Sequence, residues 1–243
     1  MNESISVVVP VYNEGESIPQ LKKQLLPVAE KISKDRKLEL IFVDDGSTDG
    51  TPGSLRENFG SLENAKIVVH KKNRGVGAAM RTGYENSTGK LIAYLDSDCT
   101  YSPGVLAGML KLLDDKTDIV TVSPYHPQGK VENIPKYRLV LSFGVSLCYR
   151  ILLWSNIRTF TAMVRVYRRK VLESVKFESD NFISAAEVLC YALLKGFKVK
   201  ELPTTLRTRA LGSSKFKTVN ATSNHLKFLL KLLLIRLHLR RLK

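Results

Sequence analysis

The stretch ISVVVPVYNE, residues 5–14, leads from a run of β-branched residues directly into a polar turn. The run at residues 5–9 predicts a short strand that is buried on both faces, as the strands of parallel sheets are. Beyond the turn, one helical face is marked by apolar residues at Ile18, Leu21, Leu25, Ala29 and Ile32. A strand followed closely by an amphipathic helix indicates an α/β fold.

The alternation of strands and helices continues through the first half of the chain. Apolar runs predict further strands at residues 38–43, 66–70, 91–95 and 118–122. Helices are predicted between them, at residues 51–59, from 76 to 84 and from 102 onward. Two helix starts carry capping signals, a capping box at Ser17 and Gln20 and an N-cap at Ser102 before Pro103.

This order of elements predicts where a ligand binds. Strands that alternate with helices form right-handed βαβ units and a mostly parallel sheet. Ligands of such sheets lie beyond the carboxyl ends of the strands. Polar or acidic turns follow three of the predicted strands, at residues 12–14, 44–47 and 96–98. Since these turns share one edge of the sheet, the sequence predicts a polar ligand site there.

Asp96 and Asp98, separated by one residue at a strand end, are the candidate metal ligands. Two carboxylates at this spacing can hold a hard divalent cation against the oxygens of a nucleotide diphosphate. The cation then acts as a Lewis acid on the departing diphosphate. A solvated acidic loop also explains the pair taken alone, but the neighbouring polar turns favour a metal site.

Asp44 and Asp45 follow the second strand and are candidate donor-binding residues. Carboxylates at a strand end can accept hydrogen bonds from a base N–H or from ribose hydroxyls. Turn chemistry explains residues 46–50 but not two consecutive carboxylates directly after an apolar strand. The segment 73–77, NRGVG, has the form of a phosphate-cradling loop that enters a helix. It lacks the third glycine of the dinucleotide fingerprint and the lysine of the P-loop.

The charge of the chain indicates an anionic partner. The 243 residues include 38 Lys and Arg against 23 Asp and Glu, a formal net charge of +15. Nucleic acid, an anionic membrane surface or a phosphorylated substrate would each be attracted. Proteins that bind single-stranded nucleic acid have aromatic residues among their basic residues. In the basic C-terminal segment the apolar residues are leucines, so a nucleic acid partner is not expected. Three isolated cysteines and the absence of a secretory signal favour a cytoplasmic location.

Two apolar segments of the second half are too short or too interrupted to cross a bilayer. Residues 139–154 fall short of the roughly 20 apolar residues that a spanning helix needs, and predict a buried or interfacial helix. The tail at residues 226–243 is rich in leucine and interrupted by basic residues. It predicts either an in-plane membrane helix or a helix packed on the domain or on another subunit. The chain thus divides into one domain, residues 1–218, and a basic C-terminal helix, residues 219–243.

Together these motifs resemble the family-2 glycosyltransferases. The resemblance rests on VVVPVYNE at residues 7–14, VDDGSTD at 43–49, NRG at 73–75 and DSD at 96–98, in this order and spacing. It implies a GT-A fold, a Rossmann-like nucleotide-diphospho-sugar domain with a mostly parallel sheet. It also implies that the nucleoside is held by Pro10, Tyr12, Glu14 and Asp45. Asp96 and Asp98 would bind Mg²⁺ or Mn²⁺ together with the diphosphate.

The second half resembles one branch of that family, the dolichol-phosphate or polyprenyl-phosphate mannosyltransferases. The matching segments are residues 123–125, 129–133, 135, 137–138, 141–142, 165–169, 187, 201–203 and 207–215. In that branch, the residues matching Arg138 and Ser142 hold the lipid phosphate. Arg209, Ser214 and Lys215 lie in the stretch that closes over the phosphates of donor and acceptor.

Two positions depart from the branch. Thr100 stands where the branch has glutamine, and a hydroxyl is a weaker metal ligand, so water is expected in that place. Pro124 stands where the branch has a second arginine for the acceptor phosphate. The loss of this cation leaves other acceptors open.

The acceptor implied by the branch requires cations rather than a general base. A lipid monophosphate is already mostly anionic at neutral pH, whereas an alcohol acceptor must lose a proton to a base. Arg138, Arg165, Arg209 and Lys215 are the expected cations, because basic side chains and especially arginine suit phosphate oxygens. Glu187 is the candidate base if the acceptor is an alcohol, although a structural role is the simpler expectation for it.

The sequence therefore predicts an inverting glycosyltransferase that moves mannose from GDP-mannose to a polyprenyl or dolichyl phosphate. The enzyme is expected to act peripherally on the cytoplasmic face of a membrane. One alternative is a transferase of the same fold that uses UDP-glucose or another UDP-sugar, or a different acceptor such as a sugar hydroxyl or a glycerolipid. Another is a catalytically silent nucleotide-sugar-binding subunit.

Overall fold

The computed structural model describes residues 3–208 and 218–237 of the chain. The strands are β1 (Ile5–Val11), β2 (Leu38–Asp44), β3 (Ala65–Val69), β4 (Leu91–Tyr94), β5 (Ile119–Ser123), β6 (Lys130–Glu132), β7 (Arg165–Arg168), β8 (Val199–Pro203) and β9 (Thr205–Arg207). The helices are α1 (Ile18–Ser33), α2 (Thr51–Phe59), α3 (Val76–Glu85), α4 (Val105–Leu112), α5 (Lys136–Leu153), α6 (Arg169–Ser174), α7 (Ile183–Leu194) and α8 (Thr218–Arg236).

Seven strands form one central sheet in the order β3-β2-β1-β4-β7-β5-β8. Neighbouring strands are parallel except around β7, which runs antiparallel to β4 and β5. All seven residues of β1 are buried, as its place between β2 and β4 requires. The predicted α/β fold with a mostly parallel sheet is confirmed, and the five predicted strands lie within two residues of their observed ends. The turns after β1, β2 and β4 consequently meet at one edge.

Helices cover both faces of the sheet. One core cluster joins α1, α2 and α4 to alternate residues of the strands, for example Leu25, Phe59 and Leu106 against Val7 and Val9. The other cluster joins the opposite face to α3 and to the helices of the second half. This arrangement gives each strand face an apolar layer and leaves the strand ends open to ligands.

One predicted helix start was wrong, and the other lacks its predicted capping bond. Ser17 is the N-cap of α1, as predicted, but its hydroxyl donates to Glu14 Oε2 at 3.0 Å and caps no backbone N–H. The capping box fails because the turn before the helix supplies a closer carboxylate partner. α4 begins at Val105 with Gly104 as its N-cap, because Ser102 Oγ accepts from Gly104 N at 3.3 Å and closes a separate turn first.

Helices α5 and α8 pack against each other beside the sheet. Among the side chains of α5 that the structure describes, only Ser146 and Tyr149 are buried, so the predicted helix at residues 139–154 lies largely at the surface rather than in the core. α8 buries His225, Phe228 and Leu232, and the latter two join the core cluster. The predicted division of the chain at residue 218 stays a prediction, and the tail beyond residue 237 lies outside the described residues. Within the described part, no helix is both long and apolar enough to cross a membrane.

Candidate active site

Two adjacent cavities open at the carboxyl edge of the sheet. The edge cavity, about 470 Å³, is lined by residues of all three polar turns, among them Tyr12, Asp45 and Asp98. The helix cavity, about 330 Å³, lies against α5 and is lined by apolar side chains such as Leu139 and Val145. The residues that line both cavities are Val76, Asp96, Ile134, Met163 and Phe182. Asp96 therefore stands at the junction of the two cavities.

The turns after β1 and β2 brace each other. Asn13 N donates to Ser47 Oγ at 2.8 Å, and Thr48 N donates to Asn13 Oδ1 at 2.7 Å. Glu14 N donates to Thr51 Oγ1 at 2.8 Å, at the start of α2. These bonds fix the wall of the edge cavity that carries the predicted donor-binding residues Pro10, Tyr12 and Glu14.

Asp44 and Asp45 have different environments, although both were predicted to bind the donor. Asp45 lines the edge cavity, whereas Asp44 is not among the described residues that line either cavity. The Oδ1 of Asp44 accepts from Ser47 N at 3.0 Å, and its buried Oδ2 has no hydrogen-bond partner among the described residues. The reason is the strand geometry, because consecutive residues point to opposite faces. Direct donor contact by Asp44 is not supported by this placement.

Asp45 organises the loop that precedes α3. Its Oδ1 accepts from Arg74 N at 2.9 Å and lies 2.7 Å from His70 Nδ1, while its Oδ2 accepts from Gly75 N at 2.7 Å. His70 Nε2 lies 2.9 Å from Thr82 Oγ1 on α3. A buried carboxylate thus ties this loop to the end of β2, and charge-assisted bonds of this kind are the stronger ones.

Three backbone amides of the loop at residues 73–77 already donate to oxygen atoms of the protein. The amides of Arg74 and Gly75 donate to Asp45, and Gly77 N donates to Asp180 O at 2.8 Å. Gly75 has φ +96°, and a Cβ there would lie 2.2 Å from Asp180 O. The glycines therefore serve a close approach between this loop and the segment before α7. Phosphate binding by the loop stays a prediction, because Asn73, Gly75 and Val76 line the edge cavity.

Asp96 and Asp98 both line the edge cavity, as predicted for metal ligands. Asp98 Oδ1 accepts from Thr100 N at 3.0 Å and from Thr100 Oγ1 at 2.6 Å. Directly after Asp98, burial and then the charges of Asp98 and Asp96 raise the pKa of the Cys99 thiol to about 11. The cysteine therefore stays protonated at neutral pH.

The residues of this turn fit a divalent cation that arrives with a nucleotide. Among the described residues, no group of three or more His, Cys, Asp or Glu side chains forms a complete metal site. Mg²⁺ typically takes only one or two protein carboxylates and completes its shell with phosphate oxygens and water. Asp96 and Asp98 match that pattern. The Thr100 hydroxyl bonds to Asp98, which agrees with the expectation that it is a weak ligand.

The helix cavity has a small polar patch in an apolar surround. Ser142 Oγ lies 2.8 Å from Thr161 Oγ1, and Ser142 also bonds the hydroxyl of Tyr125. His225 of α8 lines the cavity and bonds the Tyr149 hydroxyl through Nδ1 at 2.8 Å. Burial lowers the pKa of His225 to about 4, so this imidazole is neutral at pH 7.

Arg165 is not a ligand-binding cation, contrary to the prediction. It is fully buried, and its guanidinium donates to Thr121 Oγ1 at 2.9 Å, to Phe160 O at 2.6 Å and to Ala185 O. These neutral acceptors occupy the fork that was expected to bind phosphate. Arg165 instead links β5 and β7 to the segments that form the wall of the helix cavity.

Glu187 has the structural role that was expected of it. Its Oε2 accepts from Ser179 N at 2.9 Å and Glu178 N at 3.2 Å, and Lys231 Nζ of α8 lies 3.6 Å from its Oε1. The carboxylate is buried and holds the segment that meets Gly77. It is therefore not placed as a general base.

The other predicted acceptor residues are only partly located. Arg138 lies in the first turn of α5, four residues before Ser142, and its side chain is outside the described part of the structure. Arg209, Ser214 and Lys215 lie outside the described residues.

Two residues of the site were not predicted from the sequence. Arg207 lines the edge cavity, and its only signal was membership of the matching segment 207–215. His225 lines the helix cavity, and it had no signal in the sequence because it reaches the cavity only through the packing of α8.

Comparison with known proteins shows the family of the chain. The family model described as "Glycosyl transferase family 2" matches residues 6–176. The polyprenol monophosphomannose synthase of Mycolicibacterium smegmatis is 32% identical over 222 residues, which cover 88% of this chain and 81% of the relative. The dolichol-phosphate mannosyltransferase of Pyrococcus furiosus is 31% identical over 218 residues, 88% of this chain but 59% of the relative.

Solved structures share the fold at lower identity. The glucosyl-3-phosphoglycerate synthase of Mycobacterium tuberculosis, in complex with Mn²⁺, UDP and glucosyl-3-phosphoglycerate, superposes with a TM-score of 0.71 at 18% identity. The match covers 97% of this chain and 80% of the other. A complex of the same synthase with Mn²⁺, UDP-glucose and glycerol 3-phosphate gives a TM-score of 0.70. The expected GT-A fold is thereby confirmed, and the family match over residues 6–176 shows that the chain belongs to glycosyl transferase family 2.

Proposed function

We propose that this glycosyltransferase moves mannose from GDP-mannose to a polyprenyl phosphate, with inversion at the anomeric carbon. The observation that carries the proposal is the position of Asp96, which lines both the edge cavity and the helix cavity. A nucleotide-sugar in the edge cavity would have its diphosphate beside Asp96 and its sugar directed at the helix cavity. The names of the two mannosyltransferase relatives support the choice of donor and acceptor.

Asp96 and Asp98 would hold a divalent cation together with the donor diphosphate. A bound Mg²⁺ or Mn²⁺ would supply Lewis-acid stabilisation of the negative charge that develops on the leaving diphosphate. The turn that carries these residues is held in place by the bonds from Thr100 to Asp98. The nucleoside would bind against Pro10, Tyr12, Glu14 and Asp45 on the wall of the same cavity.

The acceptor phosphate would enter the helix cavity near Ser142. The hydroxyls of Ser142 and Thr161 are 2.8 Å apart and can donate to a phosphate oxygen. Arg138 lies one helical turn before Ser142 and is the proposed cation for the same group. An anionic phosphate oxygen attacks without losing a proton, so this acceptor needs no general base. The carboxylate of Glu187, which binds backbone amides and lies near Lys231, is therefore not required as one.

A second reading keeps the fold and changes the substrates. Pro124 lines the helix cavity at the position where the mannosyltransferase branch has a cation. A transferase with UDP-glucose as donor, or with a sugar hydroxyl or a glycerolipid as acceptor, would tolerate this loss. The first function predicts transfer of label from GDP-mannose to the polyprenyl phosphate, and the second predicts transfer from UDP-glucose or transfer to a different acceptor.

The substrate assay separates these readings. Purified chain with Mn²⁺ is incubated with labelled GDP-mannose, and separately with labelled UDP-glucose, with and without polyprenyl phosphate in detergent. We expect label in the organic phase only with GDP-mannose and lipid phosphate. The Asp98→Asn variant should lose transfer by at least about a hundredfold, because removal of a charge-stabilising group typically costs that much. The exposed Asp115→Asn variant should retain it. Label from UDP-glucose, or equal loss in both variants, would contradict the proposal.

We also propose that α5 and α8 place the enzyme on an anionic membrane surface. Val140, Phe143, Leu147, Ile151 and Trp154 form one exposed stripe along α5, in which Trp154 is 88% exposed. Contiguous exposed apolar surface marks interaction sites, and tryptophan favours the membrane interface.

The second helix continues the apolar surface. Leu226, Leu230 and Leu233 lie on one side of α8, Leu237 directly follows the helix, and all four are exposed. Lys227 and Arg236 are exposed on the same helix, and such basic residues are attracted to anionic lipid. The helix cavity is lined from α5 and α8 by Leu141, Ser142 and His225. A lipid acceptor would thus reach the cavity from the membrane side.

A reducing, cytoplasmic setting is part of the proposal. Cys99, Cys148 and Cys190 are all free, which fits a compartment where thiols stay reduced.

The test for membrane placement is co-sedimentation of the chain with vesicles that contain phosphatidylserine, compared with vesicles of phosphatidylcholine alone. Binding that depends on the anionic lipid is expected, and absence of binding to both would contradict it.

A further inference from the structure

The short ribbon formed by β6 and β9 covers part of the edge cavity. Glu132 and Arg207 are register partners at its end. Residues just after each strand line the cavity, Ile134 after β6 and Thr208 after β9. The ribbon is fastened to the aspartate turn, because Arg207 N donates to Thr100 O at 3.1 Å. Arg207 thus projects from backbone that is held next to Asp98.

The charges that line the edge cavity make Arg207 distinctive. Among the described residues, the cavity lining includes the carboxylates Glu14, Asp45, Asp96 and Asp98 but one cationic side chain, Arg207. A nucleotide-sugar brings two further phosphate charges into this acidic surround. A divalent cation compensates part of this charge, and a guanidinium suits the rest because its fork matches phosphate oxygens.

The present partner of Arg207 leaves most of its hydrogen-bonding capacity for a ligand. Arg207 Nε donates to Glu132 Oε2 at 2.9 Å, and both side chains are substantially exposed. The two terminal nitrogens have no hydrogen-bond partner among the described residues. An exposed ion pair of this kind contributes little to stability, so a change of partner costs little.

We propose that Arg207 is a donor-binding residue that turns from Glu132 to the diphosphate when the nucleotide-sugar enters the edge cavity. In the empty site, Glu132 holds the guanidinium at the cavity rim. In the loaded site, the terminal nitrogens donate to diphosphate oxygens and offset part of their negative charge. This role rests on the proposed binding of a nucleotide-sugar and concerns a residue to which the family resemblance assigned no function.

The test compares three variants in one binding assay. Dissociation constants for GDP, UDP and guanosine are measured with Mn²⁺ by calorimetry. Arg207→Gln should weaken both diphosphates about tenfold, the effect of losing one charge-assisted bond, and leave guanosine unchanged. Lys130→Gln, an exposed lysine on the same ribbon, is the matched control and should change neither.

Glu132→Gln separates ligand binding from a merely structural ion pair. It weakens the same ion pair that Arg207→Gln removes, because glutamine keeps an acceptor but has no charge. It should leave diphosphate affinity unchanged or raise it, because the guanidinium is held less tightly. Equal weakening by both variants, or no weakening by Arg207→Gln, would overturn the inference while the proposed function stands. Failure of the unaltered chain to bind either diphosphate would overturn both.

Discussion

Replacement of Asp45 by asparagine should loosen the donor site and destabilise the domain. The carboxylate accepts three interactions, from Arg74 N and His70 on Oδ1 and from Gly75 N on Oδ2. Asparagine has the same shape but one oxygen fewer. Whichever way its amide is turned, an NH₂ group faces at least one backbone N–H that it cannot accept from.

The structure sets the size of the effect. One charge-assisted hydrogen bond is lost and one buried N–H is left without an acceptor, which together cost about 2 kcal/mol. In a domain of this size, about 2–4 °C of melting temperature is lost per kcal/mol. The Asp45→Asn variant should therefore melt about 4–8 °C below the unaltered chain. Its affinity for a nucleotide diphosphate should fall as well, because binding must then order the loop.

The assay is thermal unfolding followed by circular dichroism at neutral pH, with nucleotide binding measured on the same samples. Asp35→Asn at the end of α1 is the control, because Asp35 is exposed and surface changes are usually within about 0.5 kcal/mol. If Asp45→Asn has the same melting temperature as Asp35→Asn and binds nucleotide normally, the loop does not depend on this carboxylate and the reasoning is refuted.

Three further predictions follow from other residues. Trp154→Ser should reduce binding to anionic vesicles about thirtyfold, because burial of that exposed side chain in the membrane contributes about 2 kcal/mol. The control Val69→Ser on the distant strand β3 should leave vesicle binding unchanged. Equal effects of the two substitutions would contradict the proposed membrane face. Burial lowers the folded-state pKa of His225 to about 4, so its contribution to stability is present above the unfolded pKa near 6.5 and is lost as the pH falls towards 4. Urea unfolding should show about 2 kcal/mol of this loss at pH 5, and His225→Gln should remove that part of the pH dependence; an unchanged slope would count against a neutral His225. Arg165→Met leaves the carbonyls of Phe160 and Ala185 without their donor and should lower the free energy of unfolding by about 3 kcal/mol. Lys176→Met, at an exposed lysine, is the control. A loss below about 0.5 kcal/mol would argue against a stabilising role of the buried Arg165.

The sequence predicted those features that depend on local pattern. The β-branched run of β1 and the polar turn after it are contiguous, so the strand, its buried position and the functional edge could all be inferred. The same holds for Asp96 and Asp98 after β4, which the fold brings to the cavity without help from distant residues. Parallel topology alone is sufficient to gather such turns.

Features that depend on distant packing could not be predicted. Arg165 was expected at a phosphate because arginine suits phosphate oxygens, and only the folded chain brings Thr121 and Ala185 around it. The amides of the 73–77 loop looked available for phosphate until Asp45 and Asp180 were found to accept from them. Arg207 reached the cavity through a three-residue strand that has no pattern of its own.

The most direct test of the central claim is the structure of the reaction product. The chain is incubated with Mn²⁺, polyprenyl phosphate and GDP-mannose labelled with ¹³C at the anomeric carbon, and the lipid fraction is examined by NMR. The account predicts a labelled mannosyl phosphate on the lipid, with the anomeric configuration opposite to that of the donor. A labelled lipid with retained configuration would contradict it, and so would label that stays in GDP-mannose or is released as free mannose while the lipid stays unmodified.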